Sequence, residues 1–268
     1  DIRRFAAVDI GNLVHEVMEK AFELARKKRI RIQDMEDGVR DALVEECAQA
    51  AKLDDEHGIY SDSAKSSYQV ERILELAKRS MWELQQQLRR GKFEPYAFEQ
   101  KFDGLQSLTA DLGEGRTLKL RGKIDRVDIC ENGDDVLVKI VDYKTGSTEW
   151  APDLTYYGTQ IQLVLYLSAM EDVLRERYQG KNIVPGAMFY HHLDDVFVEA
   201  RSKDSKEAID AMFLKILRPS GLVNTDMEVI RFLDGEIKDQ SDVIPVLLKN
   251  GEIEEVRSSV ASTKRFRK

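Results

Sequence analysis

Two aspartates and a lysine near the middle of the chain have spacing suited to metal chemistry. Asp142 and Lys144 end the apolar run VLVKIV, and their equal parity places both side chains on one face of a strand. Asp125 lies on the preceding strand-like segment, RGKIDRVD. Two carboxylates from adjacent strands can hold one hard divalent cation. A lysine beside that cation can orient or help deprotonate a water and stabilise charge on an attacked phosphate. The pattern therefore predicts a place where a metal ion and a water meet.

The alternative interpretation is an ordinary surface ion pair at a hairpin end, which contributes little stability. The sequence around the three residues favours the metal site, because an apolar strand needs no charge for packing and Gly122 and the segment QLVLY accompany it. Asp128 competes with Asp125 as a ligand, but its odd offset places it on the opposite strand face. Glu99, on the strand before the hairpin, could add a further acid, although a solvated position is expected for it.

The N-terminal third reads as helical. Residues 9–28 predict a helix with Asp9 as its N-cap, and residues 35–52 and 68–90 predict two more. The polar stretch LDDEHGIYSDSAKSS between the last two predicts a loop. The apolar stripe of the first helix comprises Ile10, Leu13, Val14, Val17, Met18, Ala21 and Phe22. The chain therefore starts with a helical region.

Beyond this region the character changes to strands. FEPYAFEQKF reads as a strand, and the turn ENGD between two β-rich segments predicts a hairpin. Residues 154–177 predict an amphipathic helix, and VPGAMFYHHL with VFVEA predicts a second hairpin. A helix at 205–216, a short strand at DVIPVLL and a loose tail, SSVASTKRFRK, follow. This order of elements indicates an α+β or mixed α/β fold.

Composition narrows the class of protein. The 268 residues are 42% apolar, with two cysteines and a net charge of −8, so a globular cytoplasmic protein without a disulfide framework is expected. No apolar run is long enough to span a membrane. The acidic balance does not provide the positive footprint of a typical nucleic-acid-binding protein. Because the first residue is Asp1, we expect a fragment of a longer protein.

Several segments resemble one family. GKIDRVD, IVDYKTG and YYGTQIQLVLYL are similar to motifs of the RecB-type branch of the PD-(D/E)XK nucleases, and VDIGNLVHEVME resembles the helix that supplies its metal-binding histidine. The phrases GAMFYHHL, GLVN and SSVAS also fit the C-terminal nuclease domain of AddB-like subunits of bacterial AddAB (RexAB-like) helicase–nucleases. The resemblance implies a restriction-endonuclease-like core, a central mixed sheet flanked by helices. It also implies one nuclease domain over 1–268, with a helical part (1–92), a catalytic core (93–200) and a C-terminal extension (201–268).

The resemblance also assigns roles to residues. It implies that His15, Asp125, Asp142 and the backbone carbonyl of Tyr143 bind the metal, and that Lys144 is the catalytic lysine. Gln162 and Tyr166 match the family's Q-x-x-x-Y motif. They lie four residues apart and therefore on one helical face, where they are expected to contact DNA or support the active site.

The cofactors and partners follow from the same family. The resemblance implies Mg²⁺ or Mn²⁺, single-stranded DNA as substrate, an AddA-like partner subunit and no membrane contact. It implies exonucleolytic DNA cleavage in double-strand break repair and recombination. Family members commonly carry an iron–sulfur cluster, but neither Cys47 nor Cys130 matches a ligand position. Two alternatives stay open: a catalytically weak DNA-binding or scaffold module, and a stand-alone CRISPR-associated RecB-like nuclease.

Overall fold

The structure is a computed structural model that describes residues 7–53, 64–102, 108–111, 117–120, 122–144, 162–193, 196–199, 201 and 203–266. The chain forms two compact units. The first unit comprises Asp1–Arg89, Tyr143–Thr148 and His192–Leu217. The second unit comprises Arg90–Asp142, Glu149–His191 and Arg218–Lys268.

Helices and strands alternate along the chain after an N-terminal helical region. The helices are α1 (Ala7–Lys28), α2 (Asp37–Leu53), α3 (Ala64–Arg90), α4 (Gln162–Arg177), α5 (Lys206–Leu217), α6 (Met227–Leu233) and α7 (Thr263–Phe266). The first strands are β1 (Glu94–Phe102), β2 (Leu108–Asp111), β3 (Thr117–Leu120), β4 (Gly122–Asn132) and β5 (Asp135–Lys144). The later strands are β6 (Asn182–His192), β7 (Ser220–Asn224), β8 (Leu248–Lys249), β9 (Glu252–Ile253) and β10 (Val260–Ala261). The predicted mixed α/β class is confirmed.

The first unit is helical. Helix α1 packs against α2, and it buries the predicted apolar stripe from Ile10 to Ala21, while Phe22 is half-buried. The helix begins at Ala7, so the predicted N-cap Asp9 lies inside its first turn. On α3, the fully buried Gln85 side chain donates to the carbonyl oxygens of Ile32 and Met35. This amide therefore satisfies backbone acceptors where α1 is connected to α2.

The second unit contains a six-stranded mixed sheet, apart from the last residues of β5 and β6. Its strand order is β1-β4-β5-β6-β7-β10. Strand β4 is antiparallel to both β1 and β5, β6 is antiparallel to β7, and β10 is parallel to β7. Helix α4 covers one face of this sheet. Their shared core includes Val127, Val138, Ile140, Leu163, Leu167, Met170, Leu174 and Met188.

The hairpin predicted around ENGD is confirmed as β4 and β5, which pair from Asn132 opposite Asp135. Gly133 is the first residue of the two-residue turn and has a φ of +57°. Positive φ at this position matches the twist of the flanking strands and favours glycine. The turn therefore sets the register that carries both aspartates.

Other predictions of strands and loops were wrong. Strand β6 pairs with β7, whereas residues 196–199 form no strand, so the second predicted hairpin does not form. The predicted strand DVIPVLL is reduced to its end, where Leu248 begins β8. The tail contains β10 and α7 instead of being loose throughout. The loop predicted before α3 and the predicted helix start at 154–161 lie largely or wholly outside the described residues.

The cysteines and the length of the helices bear on two further features. Cys47 and Cys130 are both buried free thiols, so they form no disulfide. Among the described residues, none of the helices combines the length and the apolar character that crossing a bilayer would require.

Candidate metal and catalytic site

The register of β4 and β5 places the two predicted aspartates side by side. Arg126 lies opposite Val141, and the same register carried one residue further sets Asp125 opposite Asp142. Directly opposite residues of an antiparallel pair project from the same face of the sheet. Asp125 and Asp142 are both buried, at 8% and 3% exposure. The hairpin therefore gathers two carboxylates at one end of the sheet.

Glu99 adds a third carboxylate on the neighbouring strand. On β1, Phe98 pairs with Arg126 and Gln100 with Ile124, so Glu99 opposes Asp125. Carboxylate oxygens of these two residues lie within 4.8 Å of each other. The Glu99 side chain is only 11% exposed, so the expectation of a solvated strand residue was wrong. We call Glu99, Asp125 and Asp142 the carboxylate row.

The carboxylate row suits a hard cation. Oxygen ligands of Mg²⁺ and Ca²⁺ lie roughly 2.0–2.6 Å from the ion, so two ligands of one ion lie within about 5 Å of each other. The oxygens of Glu99 and Asp125 meet that limit. Burial of several carboxylates at one place is costly unless a cation or hydrogen bonds compensate it. The oxygen donors of Glu99 and Asp125 and their proximity therefore fit a divalent metal.

Glu99 also has an unusual backbone conformation, with a φ of +53°. Non-glycine residues adopt this region rarely, and strain of this kind concentrates at functional sites. The Glu99 carboxylate forms an ion pair with Lys123. The local conformation thus turns an acidic side chain toward Asp125 at a cost in backbone energy.

The strand end that carries Lys144 lies beside α1 within the first unit. The ring of His15 is tilted by 59° against the ring of Tyr143, with centroids 5.2 Å apart. Tyr143 is the residue between Asp142 and Lys144, and the Lys144 carbonyl accepts a hydrogen bond from the Leu193 amide at 2.9 Å. His15 and Lys144 are both half-buried. The predicted histidine therefore sits next to the predicted catalytic strand end.

Gln162 and Tyr166 share one face of α4, as their spacing predicts. Gln162 Nε2 donates to the Tyr166 hydroxyl at 3.0 Å, and that hydroxyl also accepts from the Lys123 backbone amide at 3.4 Å. The ring lies directly over Gly122, where an added Cβ would come within 2.7 Å of Tyr166 Cε1. The absence of a side chain at Gly122 therefore leaves room for the Tyr166 ring.

Tyr190 is a neighbour of the site that the sequence did not indicate. It is 2% exposed and lies on β6, the strand beside β5. Burial raises the pKa of Tyr190 to about 12, with the negative charge of Asp142 and the nearby Tyr166 as further causes. Its hydroxyl stays protonated at neutral pH. Only the pairing of β5 with β6, which no local pattern specifies, could have revealed it.

Asp128 lies on the other face of the sheet, as its offset predicts. Its carboxylate is fully buried and forms ion pairs with Arg126 at 3.2 Å and Lys139 at 2.7 Å. Lys139 is its direct cross-strand partner on β5. Asp128 therefore belongs to a buried ion cluster and does not contribute to the carboxylate row.

Comparison with known proteins agrees with this geometry. Residues 1–263 match the family model described as the PD-(D/E)XK nuclease superfamily. The chain is 35% identical over 257 residues to the B subunit of the ATP-dependent helicase/deoxyribonuclease of Alkaliphilus oremlandii. It is 37% identical over 262 residues to the protein of that name from Lachnoclostridium phytofermentans, and 34% over 266 residues to the one from Clostridium botulinum strain Langeland.

These alignments cover nearly all of this chain but a minor part of each relative. They include 94% of the chain for the first two proteins and 96% for the third. The chain spans only 22%, 22% and 23% of the lengths of the respective relatives. The similarity therefore concerns the nuclease-like region and leaves most of each relative unmatched.

Proposed function

Because the chain belongs to the PD-(D/E)XK nuclease superfamily, we propose that it is a metal-dependent DNA nuclease domain that hydrolyses phosphodiester bonds. The observation that carries the proposal is the carboxylate row on adjacent strands, with oxygens of Glu99 and Asp125 within 4.8 Å. Lys144 follows Asp142 on the same strand face. In this proposal the acids would bind the cation and Lys144 would act on the attacking water.

Asp125, Asp142 and Glu99 are the proposed acidic metal ligands. The family resemblance adds His15 and the backbone carbonyl of Tyr143, and the rings of these two residues are in contact. Mg²⁺ is the expected ion, with Mn²⁺ as a substitute, since both accept oxygen ligands. The bound ion would polarise the scissile phosphate and stabilise the leaving oxygen.

The protein's own residues would position the reactants. In this proposal the Lys144 ammonium orients the attacking water and balances negative charge that develops on the phosphate. Gln162 and Tyr166 contact the DNA strand or hold the start of β4, and the 3.4 Å contact of Tyr166 with the Lys123 amide supports the second role. Tyr190, with its raised pKa, would remain a neutral neighbour of Asp142.

The relatives suggest the setting of the reaction. They are named as B subunits of an ATP-dependent helicase/deoxyribonuclease, which supports a role in a helicase–nuclease complex with an AddA-like partner subunit. We propose that the domain degrades single strands exonucleolytically as the complex unwinds DNA in the cytoplasm, in double-strand break repair and recombination. A net charge of −8 is consistent with DNA delivery by other parts of that complex.

The test is cleavage of labelled single-stranded DNA with Mg²⁺ or Mn²⁺ by the chain and its Lys144→Ala variant. We expect metal-dependent cutting that falls at least about 100-fold in the variant, because the lysine acts on the reacting groups. Lys249→Ala, which changes an exposed lysine of β8, should cut like the parent chain. Cutting by Lys144→Ala at the parent rate would contradict the assigned role.

Calorimetry with Mn²⁺ separates metal binding from catalysis. Asp125→Asn and Glu99→Gln should weaken binding, whereas Lys144→Ala should retain it because an ammonium does not bind a cation. Absence of cleavage by the parent chain, with intact metal binding, would direct attention to DNA delivery. If the parent chain neither cuts DNA nor binds metal through these carboxylates, the scaffold alternative replaces the nuclease.

A further inference from the structure

Two lysines face each other at the edge of the sheet. Lys101 on β1 pairs directly with Lys123 on β4, and both residues are exposed. Like charges at directly opposite positions of an antiparallel pair destabilise the sheet. A fold that places two ammonium groups there gains from an anion that bridges them. We call Lys101 and Lys123 the lysine pair.

The lysine pair borders the carboxylate row on the same face. Lys123 is two residues before Asp125 on β4, so both lie on one face of the sheet. Lys101 and Glu99 lie directly opposite these two residues on β1, and Glu99 contacts both Lys123 and Asp125. Two residues along a strand correspond to about 7 Å. A ligand held at the carboxylate row therefore has its next charged group within reach of the lysines.

Glu99 explains how the sheet tolerates the lysine pair without a ligand. Its carboxylate forms an ion pair with the Lys123 ammonium, which offsets one of the two positive charges. The Lys101 side chain is exposed, and a long flexible ammonium of this kind can follow an extended anion. The Tyr166 hydroxyl, 3.4 Å from the Lys123 amide, extends the polar surface around the lysine pair.

We propose that the lysine pair is a binding subsite for the backbone phosphates of the DNA strand next to the bond that is cut. The inference rests on the proposed nuclease function and names residues that hold its substrate. A chain with a net charge of −8 needs a local concentration of cations to bring a polyanion to a carboxylate row. The lysine pair supplies it next to the acids.

The test measures binding of fluorescein-labelled (dT)20 by anisotropy in EDTA, which prevents cleavage, as a function of salt. Lys101→Gln should raise Kd about fivefold at low salt and reduce the slope of log K against log salt by about 0.7, since one phosphate contact is lost. An oligonucleotide of mixed sequence should weaken equally, because phosphate contacts carry no sequence information.

Two control variants separate charge and position from a general effect. Lys101→Arg keeps the positive charge and should restore the parent Kd. Lys181→Gln removes a cation beside Glu131, near the turn at the far end of β4, and should leave both Kd and slope unchanged. If Lys181→Gln weakens binding as much as Lys101→Gln, the effect is one of net charge and the inference fails.

The remaining outcomes distinguish this inference from the proposed function. If Lys101→Gln keeps the parent Kd and slope while the parent shows metal-dependent cleavage, the proposed phosphate subsite is wrong and the proposed nuclease function stands. If (dT)20 binding depends on Lys101 but the parent shows no cleavage, the phosphate subsite is supported and the proposed nuclease function is wrong. Absence of (dT)20 binding by the parent at low salt would overturn the subsite whatever the cleavage result.

Discussion

Asp128 is a buried carboxylate that contacts two buried cations. Arg126 and Lys139 both lie against its single carboxylate, and all three side chains are buried. Burial raises the pKa of Asp128, but the charges of Arg126 and Lys139 together lower it by more, so this pKa lies below its ordinary value. Burial and the charge of Arg126 lower the pKa of Lys139. Asp128 therefore contacts both cations, and its loss affects both of them.

This asymmetry gives a prediction for stability. Asp128→Asn should cost about 3 kcal/mol or more, because it removes the carboxylate that both buried cations contact. Lys139→Met should cost less than about 1 kcal/mol, because Arg126 still pairs with the carboxylate and the apolar methionine side chain suits the neighbouring Phe93 ring. Urea unfolding followed by circular dichroism measures both. Equal losses in the two variants would contradict the central role of Asp128 in this cluster.

The pH dependence follows from the lowered pKa of Asp128. A carboxyl with a depressed folded-state pKa contributes stability above its unfolded pKa, and this stability is lost as pH falls through the folded value. Asp128→Asn should therefore lose most stability relative to the parent at neutral pH, and the difference should shrink in acid. Urea midpoints at descending pH check this sign.

The position of Glu99 beside Asp125 could not be predicted from the local sequence. The spacing of Asp142 and Lys144 is local, so strand parity alone put them on one face. The proximity of Glu99 to Asp125 depends on β1 pairing with β4, which is non-local information. Its positive φ also breaks the simple alternation of a strand. The third acid of the row was consequently underestimated.

Among the elements, local turns were predicted and distant pairings were not. The hairpin of β4 and β5 was predictable because Gly133 specifies its turn. The partner of β6 was not, since β7 follows only after α5. Gly221 of β7 lies so close to β6 that an added Cβ would overlap the Met188 carbonyl oxygen. The sequence shows the glycine but not which strand it approaches.

The packing of α4 on β4 gives a prediction at the scale of elements. Gly122→Ala would place a Cβ 2.8 Å from the Tyr166 hydroxyl, so the ring must move and its contact with the Lys123 amide is lost. Small displacements of positioning groups reduce rates strongly, and we expect cleavage to fall at least about tenfold with the fold retained.

Gly38→Ala is the matched control for this substitution. An added Cβ at Gly38 of α2 meets no atom within 4 Å, and alanine in a helix is favoured over glycine by roughly 0.5–1 kcal/mol. This variant should keep parent activity and gain slightly in melting temperature. Parent-like cleavage by Gly122→Ala would show that the position of Tyr166 does not matter to the reaction.

The last described residues of the chain pack into the core between α4 and the six-stranded sheet. Strand β10 adds to the sheet edge, where the amides of Val223 and Thr225 donate to the carbonyl oxygens of Ser259 and Ala261. Phe266 of α7 is 6% exposed and belongs to the core shared by α4 and the sheet. The tail looked loose because its two-residue strand is too short for any periodicity. Its order comes from long-range packing.

Removal of the Phe266 ring should therefore loosen the sheet edge. We expect Phe266→Ala to cost about 2 kcal/mol for opening of β10 from β7, which corresponds to about 30-fold faster amide exchange at Val223 and Thr225. Hydrogen exchange followed by mass spectrometry of peptides over 220–225 measures it. Phe197→Ala is the control, because that ring is 88% exposed and its loss should leave these amides unchanged. Parent-like exchange in Phe266→Ala would mean that β10 is held by its backbone hydrogen bonds alone, without help from the terminal helix.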